Sequence, residues 1–296
     1  MPDFSTESGQ PSFNHTFPIH NIYETPANNA THHQNNLMAW KKLLNSNQNI
    51  LISGEGILKM STNSTKNLLK DINTSGFRIK PFACVRTPYS FMNSALQNTI
   101  KNGQFHSVVR LGTSSSIDFN LNTGTIPKIP NSLALIKKGQ KLFGDSIIFY
   151  PFSKAKMHKN GPVAFLLDDV LGIPAEAIEM TIANQSLCNI TARLINCLNS
   201  NNQLKESFNP RRVKQIIDKF VTSEKFLLTQ SEFEFIQPAF ESLQINMTDC
   251  LGSLYVDEKI RFSKPLTAAE INEALDQCPQ HLRESIRRTK QYQTMR

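Results

Sequence analysis

Apolar positions along the chain alternate between helical spacing and short continuous runs. Leu37, Trp40, Leu43 and Leu44 share one helical face, and Asn49 to Ser53 then forms a short apolar run ending at Gly54-Glu55-Gly56, which predicts a strand and a turn. A helix is predicted over Ser64 to Ile72, where Leu68, Leu69 and Ile72 fall on one side. Ile79 to Val85 is the next predicted strand. Pro88 to Asn102 reads as a helix with Phe91, Ala95, Leu96 and Ile100 inward and Gly103 as its C-terminal cap. Beyond it, Val108, Val109 and Leu111 predict a buried strand that carries one cation, Arg110, and ends in Gly112 and a run of hydroxyls from Thr113 to Ser116. A helix over Asn131 to Phe143, a strand over Ser146 to Tyr150 and an apolar run from Val163 to Leu167 follow.

Strands alternating with helices imply an α/β fold, a mixed central sheet with flanking helices. That core is expected over residues 37–200. Residues 1–36, rich in Asn, Ser, Pro and His without sustained periodicity, read as an irregular arm. Residues 201–296 read as a helical C-terminal extension. The helical pattern begins at Glu176 to Leu198 and recurs over Arg211 to Val221, Glu232 to Leu243 and Thr267 to Leu275. Pro210 suits a helix start, Pro265 precedes a capping-box pattern from Thr267 to Glu270, and His281 to Arg296 reads as a basic stretch, a frayed helix or a tail.

Composition narrows the setting. Of 296 residues, 39% are hydrophobic, enough to bury a core, and the formal net charge is +8. The cations are spread along the chain, which favours phosphorylated small molecules over nucleic acid as partners. Five cysteines with no CxxC pair argue against a disulfide framework and a zinc site, so no metal is expected. His32-His33 lacks further ligands, and Asp168-Asp169 reads as a turn after an apolar run. No run approaches the roughly 20 apolar residues that cross a bilayer, and the expected location is cytoplasmic, with no membrane partner.

The chemistry suggested by the residues themselves centres on Arg110, Gly112 and Thr113. Arginine offers a planar fork of donors, glycine permits close approach to the backbone, and a hydroxyl with exposed N–H groups completes an anion shell. A tight Ser/Thr-rich turn, with Arg110 in a structural salt bridge, explains the same residues.

The order of several pieces resembles the purine and uridine phosphorylase superfamily of nucleoside phosphorylases. A helix runs into the Arg110–Gly112–Thr113 segment; Ser53 to Gly56 resembles the family's first phosphate loop; Thr87-Pro88-Tyr89-Ser90 resembles its turn before that helix. Phe149-Tyr150-Pro151 and Ala177-Ile178-Glu179-Met180 are similar to its base-binding and Glu-Met-Glu segments. The resemblance implies phosphate binding by Gly54, Arg110, Gly112 and Thr113, and nucleoside binding by Phe149, Glu179 and Met180, with Glu179 and Arg110 catalytic. It implies cleavage of an N-glycosidic bond with inorganic phosphate as co-substrate and no other cofactor. Phosphate attacks the anomeric carbon while the base leaves, and the carboxylate and phosphate stabilise the cationic sugar. Thr181 stands where the family has its second Glu, and Phe152-Ser153-Lys154-Ala155 replaces the Gln-x-Arg pair of uridine phosphorylases.

Two other classes fit parts of the chain. A catalytically silent relative would use its C-terminal third to bind a protein, or assemble as a homo-oligomer. Arg86, Ser115 and the pair Glu232 and Glu234 follow the Arg, Ser, Glu-x-Glu order of ADP-ribosyltransferases.

Overall fold

The computed structural model describes residues 16–24, 30–54, 56–112, 129–177, 186–201, 210–217 and 224–294. These are mostly helical and contain one sheet, a parallel pair of short strands, β1 (Phe82–Val85) and β2 (Ile148–Pro151). Helices and a parallel pair are thus present, and the other expected strands take different forms. Asn49 to Ser53 and Val108 to Leu111 are irregular, and Val163 to Leu167 is helical. The chain divides into two compact units, Met1–Ala83 with Ala134–Phe149, and Cys84–Leu133 with Tyr150–Arg296.

In the first unit, α1 (Thr16–Tyr23), α2 (Ala30–Leu44) and α3 (Thr62–Thr74) pack around Ile19, Trp40, Leu44, Met60 and Leu68. The stretch expected to be an irregular arm therefore supplies core: Ile19 is buried against this cluster. Polar side chains fix the helices together. Trp40 donates its indole N–H to the Tyr23 hydroxyl at 2.6 Å, and Tyr23 donates to Asp71 at 2.6 Å. Burial first, then the Asp71 carboxylate, pushes the Tyr23 phenol up and keeps it a donor. Helix α3 starts at Thr62 with Ser61 as N-cap, its hydroxyl accepting from the Ser64 N–H at 3.1 Å. Helix α5 (Leu133–Phe143) approaches Ile147 closely because Gly139 has no side chain; a Cβ there would stand 3.1 Å from Ile147 Cδ1.

The second unit is arranged about α8 (Asn189–Asn199), every residue of which is buried. Around it pack α4 (Pro88–Lys101), α9 (Pro210–Ile217) and α13 (Gln280–Arg287), while α11 (Gln237–Leu251) packs on α4. Residues Gly103 and Gln104 close α4 as predicted: Gly103 has φ 80°, its N–H reaches the Ile100 carbonyl and that of Gln104 reaches Thr99, both at 3.0 Å. The capping box predicted at Thr267 and Glu270 opens α12 (Ala268–Asp276). A second box, Thr229 with Glu232, opens α10 (Gln230–Glu234). Of the two forms expected for the basic C-terminus the helical one is present, and it is packed rather than frayed: Leu282 and Ile286 of α13 and Tyr292 of α14 (Lys290–Gln293) are buried.

Between β2 and α8 the chain forms α6 (Phe152–Met157), α7 (Gly161–Phe165) and a π-helical turn over Leu166–Leu171. Asp168 lies in that turn rather than at a strand end; one oxygen accepts the Ala175 N–H at 2.6 Å and the other faces His158 Nε2 at 3.4 Å. Among the described residues there is no group of side chains able to hold a metal ion. All five cysteines are free thiols, and no described helix is long and apolar enough to cross a membrane.

Tyr89, Phe233, Phe240 and Phe262 join α4, α10, α11 and the segment before α12 through ring contacts. Phe233 lies 5.8 Å from Tyr89, 5.0 Å from Phe240 and 5.5 Å from Phe262. Phe233→Ala is expected to lower unfolding free energy by about 3–5 kcal/mol, measured by urea denaturation of parent and variant.

Candidate functional site

Among the described residues no strand neighbours the segment from Gln104 to Gly112 to satisfy its backbone, and α8 supplies that need from side chains. Asn196 accepts the His106 N–H at 2.8 Å and donates to the carbonyls of His106 and Val109 at 2.9 Å each. Asn199 donates to the carbonyls of Ile100 and Gln104 at 3.0 Å. One turn earlier on the same face, Arg193 donates to the Arg110 carbonyl at 2.5 Å. Asn189, Arg193 and Asn196 are spaced by four and three residues, so they form one polar ridge on a buried helix. Val109 and Leu111 fill the core beside it, each fully buried. The segment alternates like a strand because its side chains alternate in burial, but the bonds run to asparagine and arginine.

Arg193 is itself 2% exposed and pairs with Glu232, which is 0% exposed. The contact is bidentate: Nη1 to Oε1 at 2.5 Å and Nη2 to Oε2 at 3.0 Å. Its Nε donates to Asn189 at 2.9 Å, and Nη2 also reaches the Leu227 carbonyl at 3.2 Å. Glu232 accepts two further N–H groups, from Arg110 at 2.6 Å and from Thr229 at 2.7 Å. Each charge is thus surrounded by partners, the condition under which a buried pair is tolerated.

Arg110 uses its main chain and side chain for different ends. Its N–H and carbonyl belong to the buried network, while its guanidinium lies over the Phe235 ring with Cζ 5.2 Å from the centroid. Its Nε–H is buried with no hydrogen-bond acceptor among the described residues. A pocket of about 10 Å³ adjoins it, lined by Arg110, Leu111, Gly112, Arg193, Ser231 and Glu232 among others. That is room for one water-sized group. Two guanidiniums, Arg110 and Arg193, against one carboxylate, Glu232, leave the lining formally cationic.

The other expected site residues are placed as follows. Gly112 lines this pocket beside Arg110. Gly54 and Phe149 belong to the first unit. Gly54 accepts the Ile57 N–H at 3.4 Å in a turn leading into a short 3-10 segment, and Lys138 donates to the Leu58 and Met60 carbonyls that follow. Phe149 packs beside Gly139 of α5, its ring edge 3.9 Å from where a Cβ would stand, so it walls the interior of that unit. Thr113, Ser115, Glu179 and Met180 lie outside the described residues. Glu232 is not the accessible acid that a transferase layout needs, because it is wholly buried and bonded to Arg193. Glu234 is exposed on α10 and accepts from Gln230 at 3.4 Å.

Sequence reasoning passed over Arg193 and its flanking asparagines. The available signal was an arginine and three asparagines, Asn189, Asn196 and Asn199, within eleven residues of an otherwise apolar helix. Comparison with family models, curated proteins and solved structures finds no match for the chain.

Two outcomes follow from the network. Glu232→Gln removes the charge that balances Arg193 and is expected to destabilise the protein by about 3–5 kcal/mol, read from chemical unfolding. His106, whose Nε2 lies 2.5 Å from the Thr99 hydroxyl, is held by burial below its ordinary 6.5 and stays neutral in the fold. The unfolded chain therefore takes up the proton first as pH falls, so this contribution to stability is full above 6.5 and is lost progressively below it. Unfolding midpoints measured across that range should fall more steeply for the parent than for His106→Gln; parallel profiles would show that the imidazole plays no part.

Proposed function

We propose that the Arg110 pocket binds phosphate and that the protein is nucleoside phosphorylase-like, cleaving the N-glycosidic bond of a nucleoside or nucleotide with phosphate or water as nucleophile. The observation that supports this is the Nε–H of Arg110, buried without an acceptor among the described residues beside a cationic pocket that Gly112 also lines. A phosphate oxygen is a strong acceptor for such a donor, and a guanidinium held over an aromatic ring loses little freedom on meeting it. In this reading Thr113 completes the anion shell and Glu179 and Met180 serve the ribosyl group and base, while Gly54 and Phe149 belong to the other unit. The pair β1 and β2 stands for the family's mixed central sheet, though the anion pocket itself depends on α8. Inorganic phosphate is the co-substrate, no organic cofactor is needed, and the cytoplasm is the place of action.

The size of the pocket favours a second reading. About 10 Å³ accepts one phosphate oxygen and no base, which suits a silent relative that keeps an anion and engages a protein through its C-terminal third. That third carries apolar side chains in water, Ile245 at 63% exposure and Leu254 at 75%.

Because Arg110 is bound into the fold by its main chain, Arg110→Ala leaves those bonds in place. Calorimetric titration with inorganic phosphate is expected to give at least about tenfold weaker binding in the variant, the loss of one charge-assisted hydrogen bond; equal affinity overturns the assignment. A panel of nucleosides and nucleotides with and without phosphate separates the readings, since release of free base supports catalysis and phosphate binding without release supports the silent relative.

A further inference from the structure

The pocket beside Arg110 sets a condition on its occupant. About 10 Å³ admits one oxygen of an anion, so the rest of that anion stands outside, at the mouth. A group received by so little of itself needs an anchor nearby. Ser231 is placed to supply one. It lines the pocket with Arg110, Gly112 and Arg193, it is exposed to solvent, and its Oγ lies 3.3 Å from Oγ1 of Thr229, another residue of the lining. Glu232, the next residue, is committed elsewhere, held by Arg193 and by the N–H groups of Arg110 and Thr229. The guanidinium of Arg110 rests over Phe235, and among the described residues no carboxylate is paired with it and no acceptor meets its buried Nε–H. The cavity therefore brings together an exposed hydroxyl and a cationic donor that lacks an acceptor.

A phosphate ester on Ser231 meets the condition. It carries about two negative charges and three acceptor oxygens; one oxygen enters the pocket and accepts from Arg110, and the others stay in water. Because the group is tethered, its docking is intramolecular, at an effective concentration in the millimolar range, and one charge-assisted bond suffices to hold it. We infer that Ser231 is a phosphorylation site whose phosphate docks on Arg110 and closes the pocket to free anions. The phosphoryl group comes from ATP through a protein kinase: Ser231 Oγ attacks the γ-phosphorus, the new O–P bond forms as the bond to ADP breaks, and the hydroxyl proton passes to the kinase's base. Glu234, exposed three residues on, supplies the acidic position by which acid-directed serine kinases select a hydroxyl. The inference rests on the reading of the Arg110 pocket as an anion site, and it names the occupant that the pocket's size favours.

The full chain made with phosphoserine at position 231 is compared with the unmodified chain, each with Arg110 present and with Arg110→Ala. Phosphoserine is expected to raise the thermal unfolding midpoint by roughly 2–4 °C when Arg110 is present and to leave it unraised in the Arg110→Ala background. Calorimetric titration with inorganic phosphate should show binding to the unmodified chain weakened at least about tenfold by the modification, since the tethered group fills the pocket. ATP with an acid-directed serine kinase should place phosphate on Ser231 of the unmodified chain, mapped by mass spectrometry, and Glu234→Gln should slow that transfer severalfold. A gain in midpoint that survives Arg110→Ala, or equal phosphate affinity with and without phosphoserine, overturns the docking and leaves the pocket's own phosphate binding standing. An unmodified chain that takes up no phosphate at Ser231 overturns the modification. Failure of the unmodified chain to bind inorganic phosphate overturns the anion reading of the pocket, and this inference with it.

Discussion

The second unit depends on one buried ion pair. Arg193 comes from α8 and Glu232 from α10, and each carries further bonds: Arg193 to the Arg110 carbonyl and to Leu227, Glu232 to the N–H groups of Arg110 and Thr229. A buried charge has little value until paired, and then each partner's position is set by the other. Glu232 is at once the third residue of a capping box and the counter-ion of a central arginine. The start of α10 is therefore tied to the register of α8 and to the segment before Gly112.

Helix α8 shows how irregular chain is held in the interior of this unit. Backbone N–H and carbonyl groups away from water need partners, and a sheet normally supplies them. Asn196 does so for three backbone groups, and Asn199 for two more at the end of α4. The apolar face of α8 meanwhile packs with Ile190, Leu194 and Leu198 buried. One helix thus acts as core on one side and as a hydrogen-bonding edge on the other.

Local signals were the most legible. The closure of α4 at Gly103, the Thr267–Glu270 box, the start of α9 at Pro210 and the strand before Pro151 all rest on a few adjacent residues whose chemistry is nearly unambiguous. The strand expected at Val108 to Leu111 failed for a physical reason: alternating burial reports which side chains point inward and says nothing about what bonds the backbone. The polar ridge of α8 was hidden for the same kind of reason. Polar residues on one helical face ordinarily meet water, and only the fold brings a chain segment and Glu232 against Asn196 and Arg193. At the candidate site, Arg110 and Gly112 line one small pocket, whereas Gly54 and Phe149 belong to the other unit. Glu232 entered as an acid for catalysis because a pair of glutamates two apart looks the same in sequence whether buried or exposed.

The division of labour at Arg110 bears on how this chain can change over generations. The fold holds position 110 by groups that every residue except proline possesses in full, an N–H and a carbonyl. Its framework would accept many side chains there, so the presence of an arginine is not dictated by folding. Positions of this kind let a protein exchange what it recognises without rebuilding what supports it. Among related sequences, residue 110 would be free to vary, whereas residues 193 and 232 would change only together.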